Sequence, residues 1–200
     1  MHGRWVTEPA AYIDAARGYR DGIGKMDWAA PMDWMCEPHM LAKTGLSLAR
    51  HQGLTVESVS FLREHAPDVP WIPVLQGWTI DDYLICASRY SDAGINVDEE
   101  RIVGIGSVCR RQATAEIASI MRALTDAGIS CHGFGVKTRG LGRYAGYLTS
   151  ADSMAWSYEA RRNPPLSMCA HRSCQNCIRY ALRWRNRLDR QLCADQRSLW

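Results

Sequence analysis

No stretch of the chain approaches the run of about 18 apolar residues that a membrane span needs, so no transmembrane helix is expected. The opening segment, MHGRWVTEPAAYIDAARGYRDG, has no apolar core of the kind a secretory signal requires. The cytoplasm is therefore the expected compartment. No Gly-x-Gly-x-x-Gly fingerprint follows the early strand-like segments, which removes the turn that a nucleotide-binding Rossmann unit depends on. There is no low-complexity tract. Lysine is absent from residues 161–200, although nine arginines lie there against only Asp189 and Asp195. That tail carries +7 of a net charge of +3, so residues 1–160 carry −4. A basic tail on an acidic body is what a polyanion-facing segment looks like, and also what a solvated helix looks like.

The 200 residues are enough for one domain with a small appendage. Eight cysteines are present, but their placement does not resemble a disulfide framework. Cys36, Cys86, Cys109 and Cys131 are scattered through apolar segments, where reduced cysteine acts as a small hydrophobe. Three others cluster with a histidine, which in a cytosolic chain reads as a metal site.

Apolar and polar spacing predicts a repeating strand–helix order. Residues 10–21 read as a helix, and 25–34 as a strand leading into a functional loop. Residues 55–65 read as a helix capped by Thr55 and stopped by Pro67 and Pro70. Residues 71–75 (WIPVL) read as a buried strand, and Thr79 caps a helix to residue 93 with Asp81 and Asp82 in its first turn. Residues 101–105 form a strand, 113–127 a helix ended by Gly128, 129–136 a strand, 141–148 a short helix, and 150–156 a further strand or strand end. Strand–helix units at spacings of about 30 residues indicate a parallel sheet. The expected fold class is α/β, a (β/α) TIM-type barrel. A closed barrel needs eight strands and usually about 250 residues. About five strands are legible, so the barrel is expected to be incomplete at its N-terminus. The barrel portion is assigned to residues 1–162 and a zinc-binding segment with a basic helix to 163–200, joined at Asn163-Pro164-Pro165.

The tail reads Cys169-Ala-His171-Arg-Ser-Cys174-Gln-Asn-Cys177. Zinc takes four sulfur or nitrogen ligands in a tetrahedron, and short spacers let one turn deliver two of them. A filled set of four marks a structural zinc, since a catalytic zinc keeps one position open. Cys193 is the alternative to His171. In the helix that follows, Arg179, Arg183 and Arg187, with Arg190, line one face and suit phosphate contacts. Tyr180, Leu182, Trp184 and Leu188 read better as packing residues.

Polar residues recur at the ends of the expected strands, where barrel active sites gather. Asp152 could attack a sugar carbon, or merely cap a turn. Asp33 could accept hydrogen bonds from a purine-like edge, or close a loop. Gln76 can donate and accept. Gly77, Gly104 and Gly106 leave backbone open to a flat ligand. Gly133, Gly135, Gly140 and Gly142 permit a phosphate loop, as in an unrelated small-molecule barrel enzyme.

Five stretches together carry a resemblance: Asp33-Trp-Met-Cys36-Glu37-Pro38, Val74-Leu-Gln76-Gly77, Gly104-Ile-Gly106-Ser-Val108, Ser150-Ala-Asp152-Ser-Met-Ala-Trp156-Ser157, and Cys169 through Cys177. Their order is similar to that of the tRNA-guanine transglycosylases, and closer still to the deazapurine DNA-modification branch of that superfamily. The likeness spans roughly residues 25–180. It implies a zinc-bearing (β/α) barrel that exchanges guanine for a 7-deazapurine base in DNA or tRNA. It implies Asp152 as nucleophile, and Asp33, Gln76, Gly77 and the Gly104–Gly106 backbone as the base-recognition set. There are departures. His171 stands where the tRNA enzymes have a second cysteine. Their attacking Asp sits in a Phe-Asp-Cys-like motif, which is absent here. Their Asp-Ser-Gly-Gly-Phe motif is also absent. The expectation is a truncated chain, or a homo-oligomer or partner polypeptide that supplies the missing strands. The alternative function is a non-catalytic, zinc-containing nucleic-acid-binding protein.

Overall fold

Four short strands pair in parallel, and their spatial order follows their order in the chain. They are β1 (Val74–Leu75), β2 (Val103–Ile105), β3 (Cys131–Gly133) and β4 (Ser150–Ala151), arranged β1-β2-β3-β4. The structure is a computed structural model that describes residues 5–111 and 113–197, with the side chains of 193–197 outside the described set. A helix follows each strand: α4 (Ile80–Asp92), α5 (Ala115–Asp126), α6 (Thr138–Tyr144) with a short 3-10 turn at Ala145–Tyr147, and α7 (Ala155–Ala160). Ahead of the sheet lie α1 (Pro9–Ile23), α2 (Pro38–Thr44) and α3 (Leu48–His65), and α8 (Ile178–Arg197) ends the described chain. The alternation is the one the apolar spacing predicts. The strand order never reverses among the described strands, so no Rossmann-type switch point exists there.

The segment expected as a strand over 25–34 is reduced to one parallel bridge. Ala29 pairs with Trp71, its amide donating to Pro70 O at 2.9 Å and its carbonyl accepting from Ile72 N at 3.0 Å. Pro31 has no amide to continue the ladder. The described sheet is thus an open, four-stranded one with an extended segment along its β1 edge.

Helix limits follow from their caps. The Thr79 hydroxyl accepts from Asp82 N, and the Asp82 carboxylate accepts from Thr79 N at 2.8 Å, a reciprocal capping box. Helix α3 starts seven residues before the expected position, because Ser47 caps it by accepting from Arg50 N. Thr55 is not a cap. It is buried inside α3, where its hydroxyl donates to His51 O and accepts from Trp34 N. Helix α2 begins at Pro38, a residue suited to a first turn, and ends at Gly45 with φ +69°. After Ala151 the chain leaves the sheet and turns into α7, so the strand expected to residue 156 is short.

Consecutive helices pack side by side, α3 on α4, α4 on α5, α5 on α6 and α6 on α8. They bury Leu75, Val103, Ile105 and Cys131 from one face of the sheet against Tyr83, Tyr90, Ile117, Ile120, Met121 and Leu124. A second cluster joins Ile13 and Ala16 of α1 to Leu62, Val69 and Trp71. A third brings Ala160 of α7 together with Cys174, Cys177 and Tyr180 of the tail. Leu124 is fully buried whereas Leu84 on α4 is 41% exposed. Urea denaturation is expected to show Leu124→Ala destabilised by about 2–5 kcal/mol and Leu84→Ala by under about 0.5 kcal/mol.

Candidate active site and metal centre

Side chains alternate between the faces of a strand. The register therefore dictates which residues share the face turned away from the helices. Val74, Gly104, His132 and Ser150 form one cross-strand row, each paired with the next. Two residues further along, at the carboxyl ends of the strands, stand Gln76, Gly106, Phe134 and Asp152. Parallel sheets place their ligand sites at this edge. Three of the sequence candidates fall in that outer row, and Asp33 joins them from the segment that bridges to Trp71, just ahead of β1.

Gln76 is buried. Its Nε2 donates to Asp33 Oδ2, and its Oε1 accepts from Ser107 Oγ at 2.6 Å. Ser107 Oγ in turn accepts from Cys36 N at 2.8 Å. The Ser107 oxygen thus takes the backbone proton and sends its own proton to Gln76, which fixes the direction of the amide. Ser107 has φ +56°, the one positive value at a non-glycine residue among those described. Tyr83 donates to Gly106 O at 2.7 Å and Gln52 donates to Gln76 O at 2.8 Å, so the backbone beside the amide is also tied. Burial pushes the Asp33 carboxyl up to about 6, with its own backbone and the Gln76 hydrogen bond pulling the other way.

The glycines make room for neighbours. A Cβ on Gly106 would overlap the Gln76 amide, and one on Gly104 would overlap the Phe134 ring. The gap at Gly77 faces the first turn of α4 at Asp82 and Tyr83.

Asp152 follows β4 directly, with its side chain 57% exposed. Its Oδ1 accepts from Gly135 N at 2.6 Å and lies 3.7 Å from His132 Nε2. The imidazole beside it holds this carboxyl below its usual range, although partial burial opposes the shift and the Gly135 amide adds to it. His132 is 3% exposed, and its Nδ1 lies 2.8 Å from Ser150 Oγ. Its ring packs edge-on to Trp28 and Phe134, with centroids 4.6 and 4.9 Å away. Neither His132 nor Ser107 stands out in the sequence motifs. A strict period of two from Cys131 onward would have placed His132 on the Ser150 face. Nothing local marks Ser107, which depends on contacts with residues 31 and 71 positions earlier.

In the tail, the ligand atoms of Cys169, His171, Cys174 and Cys177 lie within 4.8 Å of one another. Cys169 Sγ and Cys177 Sγ are 3.8 Å apart, and His171 Nε2 is 3.1 Å from Cys174 Sγ. Zinc–sulfur bonds of about 2.3 Å in a tetrahedron put sulfurs about 3.8 Å apart, so the donor set fits a four-coordinate metal ion. The backbone amides of Tyr180 and Arg179, in the first turn of α8, favour the Cys177 thiolate and lower its pKa. The Cys193 side chain lies outside the described residues. On α8, Tyr180, Trp184 and Leu188 are buried, while Leu182 is 49% exposed rather than packed. Arg179 and Arg183 are exposed. Arg187 is engaged, donating twice to Glu159 at 2.7 and 2.8 Å.

Polar groups collected at the carboxyl edge of a parallel sheet, with a Cys3His group that could hold a metal ion and an arginine-bearing helix, define an α/β protein with a candidate strand-end site. The family model described as DpdA, DeoxyPurine in DNA protein A, matches residues 1–198. The chain belongs to that family, which is related to the tRNA-guanine transglycosylases. Membership gives it a role in deazapurine modification of DNA, with nucleic acid and a deazapurine base as what it handles. No curated protein matches the chain.

Elemental analysis of the purified protein is expected to find about one zinc ion per chain. Cys174→Ser should lose most of it and lower the melting temperature, whereas metal-free protein that melts unchanged would contradict the site. A second expectation concerns Asp33. Its raised pKa means that the folded chain binds this proton more tightly than the unfolded one. The stabilisation is present at low pH and is lost as the pH rises from 3.8 to about 6. Asp33→Asn leaves Gln76 an oxygen to donate to and removes the charge. Denaturant titrations should find it more stable than the parent at pH 7 by on the order of 2 kcal/mol, with the gap closing below pH 4.

Proposed function

We propose that this chain exchanges guanine for a 7-deazapurine base in DNA through a covalent link between Asp152 and the deoxyribose C1′. The carrying observation is that Asp152 stands in the same outer row as Gln76, with one oxygen tied to backbone and a carboxyl held ionised. Exposure leaves its other oxygen accessible. The open sheet is read as part of a (β/α) barrel, because its strands follow chain order and its polar groups share the carboxyl edge.

In this reading Asp33 and the Gln76 amide recognise the edge of the base. The Gly104–Gly106 backbone and the turn at Gly77 complete that wall. Asp152 Oδ2 attacks C1′ as the C1′–N bond breaks, and the bonding pair leaves on the base nitrogen. The incoming deazapurine then attacks C1′ from its ring nitrogen and releases Asp152. One proton is taken up by the outgoing base and one is given up by the incoming base, so the exchange needs none overall. Cys169, His171, Cys174 and Cys177 would hold zinc as a filled set that cross-links the tail and offers no open position. Arg179 and Arg183 face DNA phosphates, and Arg187 contributes less because Glu159 neutralises it.

Incubation with guanine-containing DNA and labelled guanine is expected to move label into the DNA. A denaturation-stable protein–DNA adduct should form, and Asp152→Asn should lower both signals by at least about 10³-fold. Exchange that survives Asp152→Asn overturns the assignment. Absence of exchange, with DNA binding that still weakens steeply with salt, would favour a non-catalytic nucleic-acid-binding protein.

A further inference from the structure

We infer that His132 is a positioning residue for Asp152. It ties the Oδ1 atom in concert with the Gly135 amide, so that Oδ2 alone is presented to the sugar. The inference rests on the reading of Asp152 as nucleophile.

The argument begins with an unsatisfied atom. His132 Nε2 is buried and has no hydrogen-bond partner among the described residues, and a buried polar group without a partner is costly. The acceptor it faces is Asp152 Oδ1, at 3.7 Å. A movement of about 0.7 Å brings that pair to hydrogen-bond length, and the Asp152 side chain is exposed enough to make it. The ring itself is held on three sides. Trp28 and Phe134 pack edge-on against it, and Ser150 Oγ lies 2.8 Å from Nδ1.

Ser150 also selects the tautomer. A carboxylate only accepts, so Nε2 must carry the proton when it meets Asp152. Nδ1 of the neutral ring is then an acceptor, and the Ser150 hydroxyl donates to it. The chain of donors runs from Ser150 through His132 to Asp152 Oδ1. Ser150 and His132 are register partners on β4 and β3, and Asp152 is two residues beyond Ser150 on the same face. The device is therefore a product of strand pairing. The depressed carboxyl of Asp152, with the imidazole as first cause, agrees with it.

The consequence for the reaction is a division of labour between two oxygens. Oδ1 accepts from Gly135 N and from His132, and Oδ2 forms the bond to C1′ as the C1′–N bond breaks. In the resulting ester Oδ1 is the carbonyl oxygen and keeps both donors. They stabilise the carboxylate again as it leaves when the second base attacks. His132 passes no proton in this scheme.

Three variants of the full chain test this: His132→Phe, which fills the ring space without a donor, His132→Gln, whose amide nitrogen can replace Nε2, and Ser150→Ala. The Asp152 carboxyl is followed by carbon NMR without DNA, and base exchange is followed with DNA. The other titratable groups near Asp152 are Cys109 after β2, Lys137 beside Cys109, and Arg185 and Asp189 across the groove on α8. All are left unchanged. His132→Phe is expected to raise the Asp152 titration by about one pH unit and to lower kcat by about 10–100-fold, with KM for DNA within about twofold. His132→Gln should restore most of both. Nitrogen NMR of the ring should show protonated Nε2 in the parent and a tautomer mixture in Ser150→Ala. An Asp152 titration that is the same in the parent, His132→Phe and His132→Gln overturns the inference. Should His132→Phe not fold, an unchanged ring tautomer and unchanged kcat in Ser150→Ala overturn it equally. A shifted titration in a protein whose parent shows no exchange upholds the contact and removes Asp152 as nucleophile.

Discussion

The in-register pairing of short parallel strands is the constraint on which the rest depends. Each strand contributes only two or three paired residues, yet the pairings are aligned, so residues two apart fall into rows across four strands. One face of those rows is apolar and is covered by α3 to α6. The other collects Gln76, His132, Ser150 and Asp152. A slip of one residue in any pair would exchange the faces, sending a core side chain outward and a polar one beneath the helices. The buried apolar rows therefore fix the site as well as the fold.

The polar face is made possible by residues that have no side chain. Gly104 in β2 and Gly106 just after it lie on that polar face, and the space they leave is filled by Phe134 and the Gln76 amide, just past the neighbouring strands. Gln76 can then reach across to Ser107 and Asp33. The direction of its amide is set by a backbone proton, that of Cys36, through Ser107. A buried polar network with every direction assigned is rigid, as the proposed recognition of a base edge would need.

Much of this architecture is legible in the sequence. The Thr79–Asp82 box, the apolar stripe of α5 and the alternation of strands and helices are local signals, and they survive folding intact. The spacing of Cys169, His171, Cys174 and Cys177 is local too, so this candidate metal group can be read from that spacing alone. The parallel, chain-order arrangement of the four strands follows from the same alternation. What is not legible is set by distant partners. The start of α3 depends on the Ser47 cap, and Thr55 is a good cap residue that a buried helical position has claimed. Pro31 weakens a segment whose composition reads as a strand. Ser107, 31 residues from Gln76, and Glu159, 28 from Arg187, act through tertiary contacts that no window of sequence contains. Asp33 and Asp152 are candidates that their motifs single out, and the fold places Asp33 against the Gln76 amide and Asp152 just beyond β4. His132 is found only when the register is known.

The two carboxyl groups of the site are driven in opposite directions by their surroundings. Asp33 is enclosed, has the Gln76 amide as its main side-chain compensation, and is pushed up to about 6. Asp152 is half open to water, takes a backbone amide and faces an imidazole, and is pulled down. Two like groups separated in this way are suited to two tasks. In the proposed exchange, a carboxyl near neutrality would serve the base and a carboxyl pulled down would serve the attack on carbon. The difference arises from burial and from which donors the strand register supplies, and neither depends on a metal. The Cys3His group lies in the tail, joined to Tyr180 and α7 by the small cluster around Ala160. It directly precedes α8, and α8 in turn packs on α6 and lines the groove that also holds Asp152.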